Sequence, residues 1–200
     1  MLGTFEPFLL AFIALFVAVD ALGNIPLFIS LTEGCQKKQR QKVIRDSVTT
    51  ATLMAVVFMF VGKAVLRFIG ITIPDFQIAG GALLFIISVR LLLPGAVKTF
   101  HSDAKDDREL GVFPMGTPLI TGPAVLTTSL ICVDSYGMPA TLAAILINMV
   151  IVLVSLAKSD FFMRLIGPGG LRAVAKIMYI LLASIGVMMV RRGVLALIGG

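Results

Sequence analysis

No tryptophan, one histidine, two cysteines and two tyrosines occur among the 200 residues, and only 14% of the chain is charged. Each scarcity closes off a class of function. His101 stands in a polar stretch with no Cys-x-x-Cys and no second His beside it, so a structural metal has no ligand set and a serine-type triad has no imidazole inside an apolar segment. Two cysteines are too few for a disulfide framework. No Walker phosphate loop is present, which removes direct coupling to ATP. Soluble domains carry about a quarter charged residues, and a chain with this few is not built for water. The start, Met1-Leu2-Gly3-Thr4-Phe5-Glu6, has no Lys or Arg ahead of its apolar run, whereas a cleavable signal peptide needs that basic region. The first apolar segment is therefore expected to be retained.

What is abundant is hydrocarbon: 58% of residues are hydrophobic and the mean hydropathy is +1.02. A bilayer core of about 30 Å needs roughly 20 apolar residues in helix, and candidate spans run near 7–31, 47–69, 75–93, 112–133, 138–158 and 174–191. Turn signals or charge clusters separate them, among them Pro74-Asp75, Pro94-Gly95 and Gly167-Pro168-Gly169-Gly170. A barrel would show short alternating strands, whereas long apolar runs require helices, whose backbone is satisfied within the span.

The net charge of +6 does not point to nucleic acid, because the basic residues lie between the apolar runs and not in one patch. The tract from Gln36 to Lys42 also has no aromatic side chain to stack on bases. Placement of charge sets orientation instead. The first loop carries Lys37, Lys38, Arg40, Lys42 and Arg45, the third Lys98, Lys105 and Arg108, and the fifth is flanked by Lys158, Arg164, Arg172 and Lys176. The second offers Lys63 and Arg67, and the fourth, around Asp134-Ser135-Tyr136-Gly137, offers none. The positive-inside rule puts the odd loops in the cytoplasm and both termini outside, with Arg191 and Arg192 a small counterweight.

Shifted by 97 residues, the two halves align without a gap. Pro26 falls on Pro123, Leu22 on Leu119 and Cys35 on Cys132, and Leu66-Arg67-Phe68-Ile69-Gly70 falls on Met163-Arg164-Leu165-Ile166-Gly167. Each half, about 1–97 and about 98–200, holds three spans. An odd number makes the second half enter the membrane from the opposite side, so a single all-α domain of six helices in two inverted three-helix repeats is expected, the plan of many secondary transporters. Inverted halves would put Cys35 and Cys132 near opposite faces, too far apart for a bridge.

Two runs interrupt the first span of each half: Asp20-Ala21-Leu22-Gly23-Asn24-Ile25-Pro26, and Gly116-Thr117-Pro118-Leu119-Ile120-Thr121-Gly122-Pro123. Proline removes an N–H and clashes with the preceding turn; the freed backbone groups must be buried in protein or line a polar cavity. Paired interruptions are the best sequence pointer to a transport site. The candidate substrate-binding residues are Asp20, Gly23, Asn24, Pro26, Thr117, Pro118, Thr121, Gly122 and Pro123, with Asn148 of the fifth span a further candidate or an interhelical contact. Asp20 lies about 20 Å of helical rise into its span, where a carboxylate binds a coupling cation or an ammonium, or caps the half-helix after the break. Gly80-Gly81 reads as close helix packing.

Asp20-Ala21-Leu22-Gly23-Asn24-Ile25-Pro26-Leu27-Phe28, Phe76-Gln77-Ile78-Ala79-Gly80-Gly81, Pro118-Leu119-Ile120-Thr121-Gly122-Pro123 and Leu165-Ile166-Gly167-Pro168-Gly169-Gly170-Leu171-Arg172 together resemble the MarC family of integral membrane proteins over nearly the whole chain. The resemblance implies a multi-pass protein of the bacterial or archaeal cytoplasmic membrane. It also implies transport of small neutral amino acids such as glycine and alanine, since some members are so described. The leading expectation is thus a secondary transporter or exporter of small neutral solutes, without a resident cofactor, driven by an Na+ or H+ gradient or by the solute's own. Its partners would be a small solute and the bilayer, with a homo-oligomer left open. The alternatives are a protein that moves or senses an amphiphile, or a membrane scaffold that transports nothing. An intramembrane aspartyl enzyme needs two carboxylates in one site, and only Asp20 lies deep in a span.

Overall fold

The computed structural model describes residues 2–93 and 111–198, and every regular element among them is helical. The elements are α1 (Leu2–Val19), α2 (Asn24–Leu31), α3 (Lys37–Ile69), α4 (Ile73–Leu92), the irregular α5 (Gly111–Ile120), α6 (Pro123–Tyr136), α7 (Met138–Ala157) and α8 (Ser159–Ile198). Five segments are long and apolar enough to cross a membrane, and the pair α5 and α6, bent by 51° at its break, makes a sixth among the described residues. Their outward faces are hydrocarbon: Phe68 is 93% exposed, Val17 71% and Phe60 55%. A surface of that kind is stable against lipid and not against water.

The core lies at the breaks. Every residue of α2 except Ser30 is buried, and Phe28, Leu15 and Ile120 are fully enclosed. Around this centre α1 packs on α6 and α7, α3 on α5 and α7, α2 on α8, and α4 along α8. Hydroxyls inside the spans turn back on their own helices, Thr32 donating to Phe28 O (2.7 Å) and Ser88 to Leu84 O (2.7 Å), so neither is left unpaired in lipid.

The basic tract expected as a loop is the start of a helix. Gln36 caps α3, its N–H donating to the side chain of Gln39 (2.7 Å), and Lys37 opens 33 residues of continuous helix. At 1.5 Å per residue α3 is about 50 Å long, so it outruns the hydrocarbon and carries its lysines beyond it. Lys and Arg are good helix formers, and an apolar-run reading stops where hydropathy stops. The turn expected over Gly167–Gly170 appears as a kink at Gly167 (φ 70°, ψ 166°), which divides α8 into two helical pieces. The expected third loop, with Pro94-Gly95 and His101, lies outside the described residues.

Two ion pairs bracket the antiparallel pair α3 and α7. Arg40, at the start of α3, meets Asp160, just past the end of α7, and also donates to Ser159 Oγ (3.3 Å). Lys63, near the end of α3, meets Asp134, just ahead of α7. Arg40 also lies 5.4 Å from the Phe28 ring centroid, tying α2 to the same end.

Helices α4 and α8 approach backbone to backbone. A Cβ at Gly81 would sit 2.6 Å from Gly186 O, one at Gly186 the same distance from Gly81 O, and one at Gly193 2.7 Å from Pro74 O. Small residues at such crossings let helices pack without a hydrophobic drive, which lipid does not supply. Gly186→Leu is expected to force the pair apart and to cost about 1–3 kcal/mol or more, read as a lower melting temperature of the detergent-solubilised protein. Gly169→Ala, at a position with nothing within 4 Å, is the control and should leave the transition in place.

Candidate functional site

The first break is a four-residue turn, Asp20 to Gly23, between α1 and α2. Asp20 has φ 46°, the one positive value outside glycine among the described residues. The turn closes itself with its own groups. Asp20 Oδ1 accepts from Gly23 N (3.1 Å), Asp20 O accepts from Asn24 N (3.1 Å), and Leu22 O accepts from Ile25 N (3.2 Å). Asn24 Nδ2 donates to Val19 O (2.9 Å) and Asp20 O (3.1 Å), serving carbonyls that the end of α1 leaves free. A side chain at residue 23 would run into the Asp20 carboxylate, so glycine is required for this cap. Pro26 is the third residue of α2, within the first turn, where N–H groups lack helical partners anyway.

The second break is built differently. Phe113 and Thr117 take extended backbone within α5, and Gly122 is extended at the start of α6. Thr121 N donates to Gly116 O (3.0 Å), and Thr121 Oγ1 donates to Ala51 O of α3 (2.9 Å). Pro123 opens α6, whose first internal bond runs from Leu126 N to Gly122 O (3.0 Å). The N–H groups of Ala124 and Val125 therefore stand at an open helix N-terminus, with its positive dipole end.

Both breaks open on one cavity of about 540 Å³. Asp20, Gly23 and Asn24 line it from the first, and Pro118, Gly122, Ala124 and Val125 from the second. Helix α8 supplies a stripe at helical spacing, Met178, Leu182, Ile185, Met188 and finally Arg192. Gly80 and Leu84 of α4 lie against Pro123 and Gly122, so the breaks sit at the middle of α4 and hence at the middle of the spans. A second, shallower groove between α1 and α8 holds Phe16, Val17, Asp20, Leu22 and Ile185, and the exposed Val17 and Leu22 place it on the lipid-facing side. Among the described residues no three of His, Cys, Asp and Glu gather as metal ligands, and no disulfide joins Cys35 or Cys132.

The family model for MarC integral membrane proteins matches residues 5–198. The chain belongs to the MarC family. It is similar to a UPF0056 membrane protein of Methanocaldococcus jannaschii (31% identity, covering 95% of this chain and 87% of the relative). It is likewise similar to one of Archaeoglobus fulgidus (33%, covering 92% and 91%) and to the Escherichia coli UPF0056 inner membrane protein YhgN (28%, covering 92% and 94%). No solved structure matches it. This MarC protein is thus a multi-pass integral membrane protein.

Of the residues singled out in the MarC chain's sequence, Asp20, Gly23, Asn24, Pro118 and Gly122 meet in the cavity. The others lie off it. Pro26 is buried inside α2, Thr121 is committed to α3, and Pro123 faces Gly80. Thr117 Oγ1 is buried without a partner. Asn148 donates to Phe12 O (3.3 Å) and Ala144 O (2.9 Å), joining α7 to α1 as an interhelical contact, with its Oδ1 unpaired. Asp20 caps the break and also lines the cavity. Sequence reasoning missed Arg192 and the apolar wall on α8; the spacing from Met178 to Arg192 is the signal that marks them. Asn24→Leu removes the donor that serves Val19 O and Asp20 O, and is expected to destabilise the protein by about 1–3 kcal/mol, measured by thermal unfolding in detergent; an unchanged transition would mean the break does not need that amide.

Proposed function

We propose that the protein is a secondary transporter or exporter of small neutral solutes of the amino-acid kind, glycine and alanine first among them, acting in the cytoplasmic membrane of its cell with both termini outside. The observation that carries this reading is the meeting of two helix breaks, 97 residues apart in sequence, on one cavity at the middle of the spans. Asp20 suits the ammonium of the solute or a coupling Na+ or H+, and the open N–H groups of Ala124 and Val125 suit its oxygen atoms. Drive comes from an ion gradient or the solute's own, and no chemistry is done on the solute.

The inverted-repeat plan belongs to this proposal, and the packing supports it. Exchanging the halves turns α3 against α5 and α6 into α7 against α1 and α2, and α2 against α8 into α6 against α4; each of these pairs is in contact. Gly70 and Gly167, also 97 apart, both take positive φ, 79° and 70°.

One observation favours a second reading, an amphiphile carrier. The groove at Phe16, Val17 and Leu22 reaches Asp20 from the lipid-facing side between α1 and α8, which gives a lipid-like solute a lateral way in. Reconstitution in liposomes separates the two. Uptake of labelled glycine and alanine is expected under an imposed Na+ or H+ gradient. Asp20→Asn keeps an acceptor for Gly23 N but loses the charge, and should cut gradient-driven uptake about tenfold or more. Uptake indifferent to Asp20 would leave that carboxylate its capping role alone. No uptake of either amino acid by folded, inserted protein would hand the cavity to the amphiphile reading.

A further inference from the structure

The cavity wall carries two charged side chains, Asp20 at the breaks and Arg192 on α8, and everything else along it is apolar, Gly, Pro or a neutral amide or hydroxyl. Arg192 makes no ion pair or hydrogen bond among the described residues. Its direction is set by the packing of α8. Gly186 and Gly193 press on α4, which turns the stripe from Met178 through Ile185 and Met188 to Arg192 into the cavity. Its neighbour Arg191 lines no part of it; both side chains are solvent-accessible at this end of α8.

Depth follows from the same contacts. Ile185 shares a groove with Asp20, and Arg192 is seven residues further along α8, a rise of roughly 10 Å. Gly193, the next residue, lies beside Pro74 at the start of α4. Arg192 thus stands toward one end of the cavity, beside the start of α4, while Asp20 stands at the level of the breaks. A long stem lets a guanidinium lie along hydrocarbon and carry its head elsewhere, and its planar fork matches a carboxylate with two parallel N–H donors.

Resting on the proposal of a small-solute carrier, we propose that Arg192 is the anion anchor of this cavity: it binds the carboxylate of the incoming solute and makes the site selective for solutes that bear one. The neutral N–H groups of Ala124 and Val125 bond an oxygen but cannot balance its charge; Arg192 does. With Asp20 at the breaks, the wall sums to zero charge, which suits a zwitterion over a free amine or a simple anion.

The experiment is ligand-induced thermal stabilisation of the purified full chain in non-ionic detergent, so that it needs no transport. The probes are glycine, L-alanine, glycinamide (an ammonium without a carboxylate) and decanoate (a carboxylate on a hydrocarbon tail). Wild type is compared with Arg192→Gln, Arg192→Lys and Arg191→Gln, the last removing one charge from the same turn of helix. Glycine and alanine are expected to stabilise wild type and Arg191→Gln alike, to bind Arg192→Gln about tenfold or more weakly, and to bind Arg192→Lys in between. Glycinamide should not distinguish Arg192→Gln from wild type. If alanine binds Arg192→Gln as tightly as wild type, the anchor is refuted while amino-acid transport stands. If decanoate alone stabilises wild type, and Arg192→Gln abolishes it, the amino-acid reading falls and the anion anchor holds for an amphiphile. If no carboxylate stabilises wild type, the anchor is refuted outright.

Discussion

Lipid offers no hydrogen bonds, so a chain that leaves the helix inside a membrane must satisfy its backbone from within the protein. The organisation of the core follows from meeting that demand twice. Asp20 and Asn24 serve the carbonyl and N–H groups of the first break with their own side chains, while the Thr121 N–H donates back to Gly116 O across the second. Both breaks are sheltered by protein on most sides, which is why the most buried element is the short half-helix α2 and not one of the long spans.

The two breaks are not equivalent once their hydrogen bonds are followed. The N-terminus of α2 is closed by the Asp20 turn, whereas α6 begins at Pro123, and Ala124 and Val125, whose N–H groups precede the first helical bond, line the cavity. One break brings a carboxylate to the cavity and the other brings donors. Sequence similarity at an offset of 97 residues therefore coexists with different chemistry at the two breaks, since Asp20 lines the cavity and Thr117, its match, does not.

Much of the fold was legible because hydropathy and Pro/Gly punctuation report on lipid exposure and helix ends directly. The span near 138–158 appears as Met138–Ala157 and that near 75–93 as Ile73–Leu92. The reach of α3 through Lys37–Lys42 was not legible, since a helix does not stop where its surroundings turn polar. At the site, the breaks themselves could be read, but the partners of their side chains could not. Thr121 looks like a ligand group until Ala51 O is found beside it, and Asn148 until Phe12 O is. Arg192 was read only as a charge that bears on topology, because counting charge by segment discards the angle at which a side chain leaves its helix.

The glycine seam between α4 and α8 has a mechanical side. Where two backbones touch at Gly81 and Gly186, and again at Pro74 and Gly193, no layer of side chains lies between them to act as a bearing. Sliding one helix past the other by a residue would bring Ile185 or Val187, in place of Gly186, against the Gly81 carbonyl. The pair is therefore expected to move as one stiff spar. Any change in the shape of the cavity would then fall at the turns over residues 20–23 and 116–122, which already interrupt their helices.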